Sequence, residues 1–181
     1  MFGSYSFEAF CTDISERARL LNRRLKDPDA SWPGVLFLDV PDEGLTAEAF
    51  VVAGLSDADK RELACTELPE RVTTKRARRF CWAMPAWRFY DDDREREEYL
   101  VLVFGEAGRC ELMLARVLRA PGRTPRLGRW QPGPFGTVAR DVSGLFVDPM
   151  LQAVKAVRQS ELERAELELD GSRGSGRRPR R

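Results

Sequence analysis

The chain has 181 residues, 30 basic against 29 acidic, with 43% hydrophobic residues and no histidine. That length buries one core of ordinary size, no apolar run approaches the roughly 20 residues of a membrane-spanning helix, and the start MFGSYSFEAF lacks the apolar segment of a secretory leader. The absent histidine removes Ser-His-Asp and Cys-His catalysis, histidine-ligated metals and a histidine pH switch.

Placed at 100° per residue, Phe7, Phe10, Cys11, Ile14, Ala18, Leu21 and Leu25 share one stripe, with Arg17, Arg19, Arg23 and Arg24 mostly outside it. The spacing predicts a helix capped by Ser4 or Ser6 and stopped at Asp27 by Pro28. Residues 35–40, Val-Leu-Phe-Leu-Asp-Val between turn signals, read as a buried strand. Residues 46–54 fit a Thr46-capped helix or a short strand equally. Ser56, with Asp57 and Asp59 in the first turn, opens a middle helix whose apolar side continues through Leu63, Leu68 and Val72. Pro69 must kink or divide that helix.

Arg79–Tyr90 is a strand on its aromatic content, and Pro85 puts its second half at an edge or bulge. Residues 99–104 are apolar on both faces, which marks a central strand. Gly105–Gly108 forms a hairpin turn and Cys110–Arg119 the return strand. Residues 120–147, rich in Gly and Pro, fit short edge strands or an ordered loop. Asp148-Pro149 starts a long last helix whose stripe is Met150, Leu151, Val154, Val157, Leu162, Ala165 and Leu169.

The fold class that follows is α+β. A mainly antiparallel sheet, built from a three-strand meander over about 79–119 plus strand 35–40, is packed by an N-terminal, a middle and a long C-terminal helix. Residues 1–170 form one domain with a formal charge of −4, and 171–181 a disordered tail holding Arg173, Arg177, Arg178, Arg180 and Arg181. Arginine also outnumbers lysine throughout, with only Lys26, Lys60, Lys75 and Lys155 on the other side. GC-rich codon usage is the plain reading of that bias.

Chemistry-bearing motifs are few. No lysine follows a glycine as a P-loop requires, and none has an acidic residue two positions before it. There is no dinucleotide fingerprint and no nucleophile elbow. Cys11, Cys65, Cys81 and Cys110 contain no close pair for zinc and read as reduced structural thiols of a cytoplasmic, bacterial protein. Residues 91–98 carry six carboxylates with interleaved arginines, the pattern of a solvated hairpin loop rather than a divalent-cation site. No catalytic residue, cofactor or metal is assigned.

Three functions stay open. A non-enzymatic protein-binding or adaptor module would meet an unidentified protein partner through its sheet surface or final helix. A nucleic-acid-associated protein would make nonspecific phosphate contacts through the five tail arginines, with Arg76, Arg78, Arg79 and Trp87 as a second basic and aromatic patch. An enzyme would have to work with carboxylates, Tyr, Cys or the four lysines. No membrane partner is expected.

Overall fold

Alternating side chains on three consecutive sheet neighbours are apolar on both sides, so each face of the sheet needs a cover. A computed structural model describes residues 6–89, 96–133 and 147–174, apart from the side chains of 57, 88, 89, 96 and 169–174. Helix α1 (Phe7–Arg24) is followed by strands β1 (Gly34–Val40) and β2 (Gly44–Phe50), then by α2 (Asp57–Glu62), a π turn (Leu63–Glu67) and α3 (Leu68–Thr74). Strands β3 (Arg79–Phe89), β4 (Arg96–Glu106), β5 (Arg109–Ala120), β6 (Arg123–Leu127) and β7 (Gln131–Pro132) come next, and α4 (Asp148–Gly174) ends the described chain. The α+β architecture with its antiparallel meander is as the residue pattern predicts. No helix among the described residues is long and apolar enough to cross a membrane.

The strands lie in the order β2-β1-β3-β4-β5-β6, every neighbouring pair antiparallel, with β7 against β5 at Met113 and Leu114. Register pairs Phe37 with Cys81 and Cys81 with Phe104, which brings these three side chains to one face. There Val35, Ala83, Leu100 and Leu102 join them beneath Phe10, Ile14 and Ala18 of α1. The Phe10 and Phe104 rings meet edge to face at 6.0 Å. The opposite face, with Leu36, Leu38, Phe80, Trp82, Val101 and Val103, lies under Leu68 and Val72 of α3 and Met150 and Val154 of α4.

Local chemistry explains the element ends. Ser6 caps α1 through the Ala9 N–H, and the helix ends at Arg24, one turn before the position that Pro28 alone would dictate. Ser56 and Asp59 form a reciprocal capping box on α2. Pro69 has no N–H for a continuous α-helix; the chain accommodates it with the π turn, where the Leu68 N–H donates to the Leu63 carbonyl five residues back. Of the ambiguous stretch 46–54, the part up to Phe50 belongs to the edge strand β2, because Leu38↔Thr46 and Leu36↔Glu48 pairing extends the sheet, and 51–54 lie outside it. Gly108, at φ +91°, makes the tight β4–β5 turn that a side chain would strain.

Two expectations change. The α4 stripe is buried at Met150, Ala153, Val154 and Val157, but Leu162 is 52% exposed because the sheet ends beneath the first half of the helix. Of the thiols, Cys11 and Cys81 are buried in the core and Cys110 is partly covered, whereas Cys65 is exposed; none is in a disulfide. Residues 91–95 of the acidic run and 175–181 of the arginine tail lie outside the described residues.

Leu102 is wholly buried in the central strand, so Leu102→Ala is expected to cost ~2–5 kcal/mol in urea unfolding, and a loss under about 0.5 kcal/mol would contradict this packing. Burial pushes the Cys11 thiol up to about 12 and Cys110 up to about 11, and raises Cys81 as well. At pH 8 the thiolate of Cys11 is then about a thousandfold scarcer than at its ordinary pKa. Iodoacetamide on the folded protein should therefore label Cys65 first, and all four cysteines in urea; mass mapping of the labelled peptides decides it.

Candidate peptide-binding cleft

β1 stops short along β3. The β1–β3 ladder runs from Asp39↔Arg79 to Val35↔Ala83, whereas β3 stays paired with β4 as far as Phe89↔Arg96. Met84 to Phe89 thus have a strand on one side and, among the described residues, none on the other. Pro85 sits within this open half, in keeping with the edge position that its missing N–H demands. β2 and β3 flank β1 and are therefore about 10 Å apart, so beyond Gly34 the space between β3 and the chain following β2 is one strand wide.

That space is a cleft of about 370 Å³. Trp82, Met84, Pro85 and Trp87 form its β3 wall, Val52, Ala53 and Gly54 the opposite wall, and Lys60, Leu63, Ala64 and Leu68 close one face. Ser31, Trp32 and Glu98 close the other. Three of the chain's four tryptophans meet here. Trp82 is fixed: its indole packs edge to face on Phe50 at 5.7 Å and covers Gly34 so closely that a Cβ there would lie 2.3 Å from the ring. Trp87 is 54% exposed, one of the larger apolar surfaces the fold leaves to solvent.

Polar contacts hold the cleft open. Glu98, directly across from Trp87 on β4, is only 6% exposed, which corrects the reading of the whole acidic run as a solvated loop. Arg119 explains why it is tolerated: its Nε donates to Glu98 Oε2 at 2.5 Å and its Nη2 to Oε1 at 3.0 Å. The Glu98 hydrogen bonds also raise the pKa of the Arg119 guanidinium above its ordinary value. The remaining Arg119 protons reach the Pro28 carbonyl at 2.6 Å and the Ala30 carbonyl at 3.1 Å. Trp32 is held from within, its Nε1 donating to Asn22 Oδ1 at 2.8 Å while Asn22 Nδ2 donates to the Pro125 carbonyl at 2.8 Å. These bonds draw the segment joining α1 to β1 toward α1 and β5, off the line that β1 would otherwise continue.

The basic and aromatic patch read from the sequence is not one surface. Arg79 is pinned between Asp39 at 2.7 Å and Glu106 at 3.0 Å, and Arg78 binds Glu161 on α4 at 3.2 Å. Arg76 is exposed and occupies a left-handed position, φ +55°, where the N–H groups of Arg76 and Ala77 close the end of α3 on the Thr73 and Val72 carbonyls. Trp87 lies eight residues along β3 from Arg79, about 26 Å away. The arginines and the tryptophan therefore stand at opposite ends of one strand. Arg173 falls in the last turn of α4, with its side chain outside the described residues, as are residues 177–181 entirely.

Glu98 is the one carboxylate among the described residues lining the cleft, and both its oxygens accept from Arg119. Sequence reasoning marked Pro85 as an edge residue and Trp87 as a contact candidate, but missed Glu98, Arg119 and Trp32, which are far apart in the chain and carry no linear signature. No protein-family model, curated protein or solved structure matches this chain. Arg119→Ala would leave a buried carboxylate without its cation, with an expected loss of ~2–3 kcal/mol in urea unfolding. It should also free residues 28–30, read as faster amide exchange there; unchanged exchange would show that the clamp does not position this segment.

Proposed function

We propose that the chain is a non-enzymatic protein-binding module whose cleft takes an extended segment of a partner, laid along the open half of β3. The observation that carries this reading is the missing length of β1. A strand with one unpaired side offers main-chain N–H and C=O groups to any extended chain of the right spacing. The gap is one strand wide, and its tryptophan-rich walls supply the side-chain pockets that give such binding its selectivity. Pro85 removes one main-chain donor, so the apolar contacts with Trp82, Met84 and Trp87 must supply much of the affinity.

The test is selection of random linear dodecapeptides on the full chain, with the Trp87→Ala protein as counter-selection. Trp87 is exposed enough that its truncation should change stability by no more than about 0.5 kcal/mol. Enrichment of β-branched and aromatic sequences is expected, with at least tenfold weaker binding to Trp87→Ala and slowed amide exchange at Trp87 and Phe89, the open-side donors next to Pro85, in the complex. Peptides that bind both proteins equally, or that leave those amides unprotected, would sink strand addition.

A further inference from the structure

Several arginines on the described surface are held by a carboxylate: Arg17, Arg71, Arg78, Arg109 and Arg116 are paired with Asp13, Glu48, Glu161, Glu8 and Glu97 in turn. The surface where α1 meets β6 is different. Arg19 and Arg23 of α1 and Arg126 of β6 line one open cleft of about 480 Å³ together with Asn22, Thr124 and Pro125, and no Asp or Glu is among its lining residues. Arg123 and Arg129, both exposed, lie at either end of the same β6 segment. None of these five arginines has a carboxylate partner among the described residues.

The side chains are placed rather than merely abundant. Arg19 donates to the Leu127 carbonyl at 3.3 Å and the Gly128 carbonyl at 2.8 Å, with its guanidinium 5.6 Å from the centre of the Trp130 ring. Its partners are neutral, so its full positive charge remains in the cleft. Asn22, bonded to the Pro125 carbonyl, fixes β6 against α1 and so sets how far Arg126 stands from Arg19 and Arg23. The negative end of the α1 dipole offsets part of the Arg23 charge; Arg126, on a strand, has no such partner.

We propose that this cleft binds phosphate groups. Guanidinium forks from two elements converge on one concavity with a threonine hydroxyl beside them, and planar forks match the oxygens of a phosphoryl group better than those of a single-atom anion. The same chemistry suits the backbone of a nucleic acid or a small phosphorylated molecule. The site is separate from the tryptophan-lined cleft and does not depend on strand addition there.

The experiment uses the full chain with Arg23→Gln and Arg126→Gln combined, both exposed side chains whose replacement should leave the melting temperature unchanged. Arg19 stays, because it ties α1 to residues 127 and 128. A second protein carries Gln at 177, 178, 180 and 181, which separates the groove from the tail. Probes are inorganic pyrophosphate, followed by amide shifts, and random-sequence single-stranded DNA, followed by anisotropy at several salt concentrations. Shifts around Asn22 and Thr124 with pyrophosphate, lost in the double variant, assign the site to small phosphorylated molecules. DNA binding whose log–log salt slope falls in magnitude by about 1.4 in the double variant, at about 0.7 per phosphate contact on a single strand, assigns it to a nucleic-acid backbone. The proposal fails if neither probe binds at low salt, or if the double variant binds like the parent while the tail variant does not.

Discussion

A strand that is apolar on both faces cannot stand against water on either side, and β1, β3 and β4 are all of this kind. The helices are arranged to meet that constraint. One amphipathic helix, α1, covers the face bearing Phe37, Cys81 and Phe104; two further helical layers cover the face bearing Leu38, Phe80 and Trp82. Each leucine or phenylalanine brought in from solvent contributes roughly 1.5–3 kcal/mol, so the two covers far outweigh any surface ion pair in holding the sheet. The edge strands follow the same logic: β2 and β6 flank the doubly covered centre and are themselves partly exposed.

The cleft arises where this cover has to let the chain through. α1 and β1 are sequential but lie in different layers, and the connection must pass from one to the other beside β3. Arg119 anchors that connection through the main-chain carbonyls at 28 and 30, partners that do not depend on which side chains the loop carries, and Asn22 anchors it through the Trp32 indole. Glu98 then needs the arginine as much as the arginine needs a partner, because a carboxylate so little exposed must have its oxygens hydrogen-bonded. A structural ion pair and an open strand edge are thus two results of one crossing.

The parts of the fold legible in the sequence were those governed by neighbours a few residues apart. The stripe Phe10–Ile14–Ala18, the run Val35–Val40 and the two-sided segment Tyr99–Phe104 each carry their own period, and all three stand where the pattern put them. Leu162 misled because helical periodicity continues past the point where the sheet beneath it ends, and no local signal marks that point. Residues 46–54 were undecided because the strand that takes up their first half is specified by β1 beside it rather than by their own composition. Glu98 read as part of a solvated charge run; its burial depends on an arginine 21 residues away. For the same reason the groove arginines were invisible as a group. Arg19, Arg23 and Arg126 become a cluster only when β6 folds back on α1.

The layer order also has a consequence for synthesis. α1 leaves the ribosome before every strand it covers, and the buried surface beneath it is completed only with Cys81, Phe104 and Val117. About 93 residues of translation separate the end of the helix from the last of these, or ~5–19 s at ordinary elongation rates. Through that interval Phe10, Ile14 and Ala18 have no sheet to rest on, and a helix of this length is marginal by itself in water. α4 meets a finished surface as soon as it emerges. The nascent chain is therefore most exposed to misassociation, and most dependent on holding chaperones, between the making of α1 and that of β5.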